Sequence, residues 1–159
     1  MISAFRLAFA DSVATAFGPR GAEGRWNSRG TVVVYTAEHP ALAVLEIMTA
    51  WNDYQDFSGY HLYRCEFDAA MVEDLVERVV RGSVDPTDRA TTRAFGDLWT
   101  MERRSVALRV PSVVAPHSHN YLLNPAHPDF EDAVARQGLG PLRFDPRLVE
   151  LVNEAKRKR

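Results

Sequence analysis

The sequence predicts an α+β fold, with helices flanking a central sheet of mixed strand direction. Three observations carry that prediction. Strand-like and helix-like segments are interspersed, but without the regular β–α alternation of a doubly wound parallel sheet. The strand segments are short, and the clearest, TVVVYT at 31–36, is β-branched and aromatic. The helical segments are amphipathic or carry capping residues, as in DAAMVEDLVERVV at 68–80.

Each element follows from its residues. AFRLAF at 4–9 alternates in part and reads as a first strand. Residues 18–30 are rich in glycine, with Pro19 and Asn27, and read as a loop. After TVVVYT, the run EHPALAVLEIMTAW reads as a helix with Pro40 at its first position. DFSGYH at 56–61 reads as a turn, and HLYRCEF at 61–67 as an alternating strand. Asp68 is placed to cap a helix over 68–80. DPTDRATTRAFGDLWTMERR reads as helical despite Gly96 inside it. SVALRVPSVV at 105–114, NYLLN at 120–124 and PLRFDP at 141–146 read as strands, the first interrupted by Pro111. The chain ends in a helix, PRLVELVNEAKRKR, whose basic last turn suits the C-terminal end of a helix dipole.

A length of 159 residues suits one domain, 1–159, with a real core. Hydrophobic residues at 46% and charged residues at 25% are ordinary for a globular protein. A net charge of -2 argues against general nucleic-acid binding. No apolar run approaches a membrane span, and MISAFRLAFADS does not read as a signal peptide. Cys65 is the one cysteine, so no internal disulfide can form. A cytoplasmic location is the expectation.

Several residues carry chemistry. Glu46 is the one charged residue between Pro40 and Met48, and its helical neighbours include Leu42, Ala43 and Ala50. Such a carboxylate either points to solvent or finds a partner among apolar groups. Arg25 lies in a glycine-dotted loop, GRWNSRG, and is either a solvated arginine or a fork for a phosphate or carboxylate. Arg6 interrupts the apolar strand AFRLAF, and Tyr35 stands at a strand end before a helix. His117, His119 and His127 do not show the spacing of a zinc site, and no metal is expected. Cys65 reads as a small buried residue. VPSVVAP, around Ser112, is no GxSxG elbow.

Taken together, FRLA, GRWNSRGTVVVYTAEHPALAVLE, RVPSVVAPHSHNYLLNPAHPDF and RFDPRL resemble the RES-domain family, over nearly the whole chain. PHSHN is a slightly unusual spelling of its loop, and the final RKR matches no motif of the family. The resemblance implies an ADP-ribosyltransferase-like fold and the toxin role of a type II toxin–antitoxin pair. It implies consumption of NAD as substrate, by hydrolysis or phosphorolysis of the nicotinamide–ribose bond, with no permanently bound cofactor. Protein ADP-ribosylation is the alternative acceptor chemistry, and a binding module without catalysis is a further one. The implied partner is a cognate Xre-type antitoxin with a helix-turn-helix domain.

The resemblance also implies the site. Arg25, Glu46 and Ser112 stand where the family's eponymous arginine, glutamate and serine fall, and Arg6 and Tyr35 match further polar positions. Asn120 and Asn124 lie in its SHNYLLNPAHP segment. The expected roles follow from charge. Cleaving the glycosidic bond builds positive charge on the ribose, which the Glu46 carboxylate can stabilise. Arg25 and Arg6 suit the pyrophosphate. Tyr35 offers a ring for nicotinamide and a hydroxyl for a sugar. Ser112 offers a hydroxyl for the amide or the ribose. Arg29, also in GRWNSRG, reads as a solvated loop residue.

Overall fold

The computed structural model describes residues 1–18, 20–50, 59–82 and 84–158. Seven strands form one sheet: β1 Ile2–Ala8, β2 Val34–Ala37, β3 His61–Phe67, β4 Val72–Asp74, β5 Ala107–Pro111, β6 His119–Leu123 and β7 Ala135–Pro141. Their order is β4-β5-β6-β2-β1-β3-β7. The β4–β5 pair is parallel and the others antiparallel, so the sheet is mixed, as the sequence predicts.

The helices are α1 Val13–Phe17, α2 Pro40–Ala50, α3 Val76–Val80, α4 Arg89–Glu102, α5 Phe130–Ala133 and α6 Pro146–Arg157. Alternation along the strands sends side chains to two faces. Ala4, Ala8, Tyr63, Tyr121 and Leu123 pack on one face with Phe17 and Phe130 from α1 and α5. On the other face, Leu108, Val110 and Leu122 pack beneath Trp99 of α4, together with Trp26. Leu7 and Ala37 join Leu42 and Ala43 of α2 in a third cluster, which α6 covers through Val149 and Val152.

Several segments differ from their sequence reading: of TVVVYT, for example, only Val34–Thr36 falls in β2. The helix expected over 68–80 divides: Asp68 caps a short 3-10 turn at Ala69–Met71, β4 follows, and α3 holds the rest. Pairing of Val72–Asp74 with Ala107–Arg109 outweighs local helical spacing there. Asp74 then accepts the backbone N–H of Val76 at 2.8 Å and restarts the helix. The last strand runs earlier than PLRFDP, because β7 pairs with β3 from Ala135 to Pro141. The short helices α1 and α5 carry too few turns for a periodic signal. The turn expected at 56–61 lies outside the described residues up to Ser58, as does the helix position Trp51.

Candidate active site

Glu46 is half-buried on α2, and one of its oxygens is held from across the sheet. The Ser112 hydroxyl donates to Glu46 Oε1 at 2.8 Å, and the Asn120 amide donates to the same oxygen at 2.6 Å. Ser112 follows β5, and its own Oγ accepts the N–H groups of Val114 and Ala115, both at 3.1 Å. That turn fixes the hydroxyl, since its lone pairs are occupied and its proton is left for the carboxylate. Register does the rest. Antiparallel pairing of β5 with β6 sets Val110 opposite Asn120, and β6 with β2 sets Asn120 opposite Ala37. From Ala37 the chain turns into α2 and carries Glu46 back over the strand ends. Glu46 Oε2 takes no hydrogen bond among the described residues.

The GRWNSRG loop is built around Tyr35. The Tyr35 hydroxyl donates to Asn27 Oδ1 at 2.8 Å and accepts the Trp26 N–H at 3.0 Å. Burial raises this phenol to about 12, so it stays protonated at neutral pH. The buried Asn27 amide nitrogen donates to the carbonyls of Ala22, Ser28 and Thr31. A side chain at Gly24 would meet the Tyr35 hydroxyl at 2.4 Å, which explains glycine there. Helix α4 clamps the loop from outside. Thr92 Oγ1 donates to the Arg25 carbonyl at 2.7 Å, Arg93 Nε to the Gly24 carbonyl at 3.0 Å, and Asp97 accepts the Ser28 N–H at 2.9 Å.

Among the described residues, the Arg25 guanidinium is held by one bond, NH1 to the Pro86 carbonyl at 3.1 Å. Arg6 lines the same cavity and is also tied into the fold. Its Nε and NH1 donate to the carbonyls of Ala16 and Tyr35, both at 2.8 Å. Burial, and next the charge of Arg20, lower it to about 10. Its bonds tie β1 to α1 and to β2, where the Phe5–Ala37 pair is the register the two strands share.

These residues surround a cavity of about 1190 Å³ on the α2 and α4 face of the sheet. Arg6, Arg25, Tyr35, Glu46 and Asn120 line it. Ser112 is not part of the lining and touches the site through its bond to the carboxylate. Asn124 lies elsewhere: it is fully buried, donates to the Thr100 carbonyl and accepts the Ala126 N–H, so it fixes the turn after β6. His119 contacts Glu38 and Arg109, while the ring of His127 accepts the Asp129 N–H. Among the described residues, no three metal-ligating side chains converge. Cys65 is fully buried, and burial raises its thiol to about 12.

The residue reading missed the supports of the site: Asn27, Thr92, Arg93 and Asp97. Gly96 was the available signal, since a glycine inside a helix marks close approach of another backbone. A Cβ there would meet the Trp26 carbonyl oxygen at 1.8 Å.

Known proteins share this chain's pattern. The RES domain family matches residues 3–145. A Toxin Res of Yersinia enterocolitica is 32% identical over 136 residues, covering 84% of this chain and 89% of that protein. A Prs ADP-ribosylating toxin of a Sphingobium species is 32% identical over 135 residues, covering 79% of this chain and 80% of that protein. The fold resembles a chain of the M. tuberculosis MbcT-MbcA toxin-antitoxin complex, with a TM-score of 0.67 at 17% identity over 96% of this chain and 89% of that one. A match spanning nearly the whole sequence, with relatives above 30% identity along most of their length, means that this chain belongs to the RES domain family.

Proposed function

We propose that this protein is the toxin of a toxin–antitoxin pair and that it consumes NAD by cleaving the nicotinamide–ribose bond. The observation that carries the reading is the Glu46 carboxylate, bonded on one oxygen by Ser112 and Asn120, in a cavity that also presents Arg25. A carboxylate beside a cationic wall complements a substrate with a cationic pyridinium at one part and an anionic pyrophosphate at another. A volume of about 1190 Å³ is ample for a dinucleotide.

The chemistry divides among the residues. When the glycosidic bond breaks, its electron pair leaves with nicotinamide, which departs neutral, and the ribose becomes cationic. Glu46 stabilises that cation, and its Oε2 polarises a ribose hydroxyl or the incoming nucleophile. Ser112 and Asn120 hold the carboxylate in place without neutralising it. Water or inorganic phosphate then bonds to the anomeric carbon. Arg25 grips the pyrophosphate, while Tyr35 shapes the loop that presents Arg25.

Transfer to a protein acceptor uses the same site, and the name of the Sphingobium relative, an ADP-ribosylating toxin, favours keeping that second reading. The partner proposed is an Xre-type antitoxin, in line with the toxin-antitoxin complex of the structural neighbour. No helix among the described residues is long and apolar enough to cross a membrane. We place the protein in the cytoplasm, where its substrate and its antitoxin would be met.

Incubation of the purified chain with NAD, with and without phosphate, tests the reading. Nicotinamide is released, with ADP-ribose or its 1-phosphate as the other product. A single labelled protein in a lysate fed labelled NAD supports transfer instead. Neither nicotinamide nor a labelled acceptor from wild type would end both.

A further inference from the structure

Four arginines and two carboxylates line the cavity: Arg6, Arg20, Arg25 and Arg89 against Glu23 and Glu46. Their commitments differ. Glu23 is paired with Arg93 at 2.6 Å, and Glu46 is held by neutral groups. Arg6 spends two donors on backbone carbonyls, and Arg25 spends one. The guanidinium groups of Arg20 and Arg89 have no hydrogen-bond or ion-pair partner among the described residues, and both residues are exposed at the cavity edge.

Arg89 is the first residue of α4, where a cation opposes the helix dipole, and the neighbouring Asp88 carboxylate is engaged in capping the Ala90 N–H at 2.9 Å. Arg20 stands near enough to Arg6 for its charge to act on that buried guanidinium. The cavity lining thus holds four arginines against two carboxylates, and among the described residues Arg20 and Arg89 form no ion pair with either.

We infer that Arg20 and Arg89 form the phosphate subsite of this cavity and grip the pyrophosphate of a dinucleotide whose glycosidic bond lies at Glu46. The inference rests on the NAD reading and deepens it, adding to Arg25 two anion contacts that the sequence motifs do not single out. Guanidinium forks suit this task because each can present two parallel N–H donors to one phosphate. Arg25 completes the cationic arc.

The test compares wild type, the Arg20→Ala/Arg89→Ala double variant and Arg29→Ala as a loop-arginine control. Nicotinamide release from NAD in phosphate-free buffer gives KM and kcat. ADP-ribose titration gives affinity without catalysis. The double variant raises KM by about 10-fold or more, weakens ADP-ribose by a similar factor and leaves kcat within about twofold, while Arg29→Ala matches wild type. Unchanged KM and ADP-ribose affinity overturn the subsite. So does a loss confined to stimulation by inorganic phosphate, which would make these arginines the acceptor's site. Should wild type bind ADP-ribose through this pair yet release no nicotinamide, the subsite stands and the activity reading falls.

Discussion

The hydroxyl of Ser112 lies 2.8 Å from Glu46 Oε1, across 66 positions of sequence. The same hydroxyl accepts two backbone N–H groups of its own turn, so it can serve the carboxylate only as a donor. A glutamate that reads as an isolated charge on an apolar helix therefore has a fixed orientation, with one oxygen occupied and, among the described residues, the other without a hydrogen bond.

Glu46→Gln removes the charge and retains the shape. Nicotinamide release from NAD should fall by at least about 100-fold while circular dichroism and melting stay near wild type. Ser112→Ala should lower kcat by a smaller factor, on the order of 10-fold, because Asn120 still holds the same oxygen. Equal losses in the two variants would mean that Ser112 does more than orient.

Arg25 and Arg29 share one loop and should behave differently. Arg25→Ala should weaken NAD by about 10-fold or more, as expected for one lost charge-assisted contact. Arg29 is exposed and lies outside the cavity lining, so Arg29→Ala should change neither KM nor stability. Steady-state kinetics on both variants separate the cases.

Tyr35→Phe tests whether the phenol is a support. Its loss strands the Asn27 carbonyl oxygen and the Trp26 N–H, both partly shielded from water. Stability should drop by about 1–3 kcal/mol, read from urea unfolding. A variant as stable as wild type but inactive would instead place the hydroxyl on the substrate.

Gly96→Ala should disturb the site from a distance. Its Cβ has no room against the Trp26 carbonyl oxygen, which is backbone and can yield only by moving the loop. The cost should be about 1–3 kcal/mol, or roughly 2–10 °C in Tm, together with weaker NAD binding. Wild-type melting with wild-type KM would refute the close approach.

Alkaline pH should destabilise the fold through Cys65. Burial raises its thiol from 9.0 to about 12, so the folded chain keeps a proton that the unfolded chain loses. That contribution is fully present below pH 9 and declines as pH rises from 9.0 toward 12, by up to about 1.4 kcal/mol per unit. Urea unfolding from pH 7 to 10.5 should show a shallower decline above pH 9 in Cys65→Ala than in wild type. Parallel profiles would remove the thiol from the account.

Local pattern sufficed where an element's own residues decide it. HLYRCEF alternates and is β3 over the same residues, 61–67, and Pro40 opens α2 as its fixed φ favours. Pattern misled where a partner strand decides. Residues 72–74 carry helical spacing yet pair with β5, and the final strand precedes PLRFDP because β3 needs a partner from Ala135 onward. For the site, the motif wording points to Arg6, Arg25, Tyr35, Glu46, Ser112, Asn120 and Asn124, of which Asn124 lies away from the cavity, while residue physics leaves Glu46 and Arg25 open between solvent and ligand.

The sequence by itself determined the α+β class, the family and the residue types available for chemistry, because composition, short-range periodicity and motif order are local properties. Tertiary structure alone decided which of those residues meet. Strand register brings Ser112 and Asn120 to one oxygen of Glu46. A missing Cβ at Gly96 lets α4 hold the Arg25 loop. Two backbone carbonyls claim Arg6, which leaves Arg20 and Arg89 as the unpartnered cations of the cavity among the described residues. Such contacts join positions dozens of residues apart, so they follow from the packing of the whole sheet and from no property of either residue's neighbours in sequence.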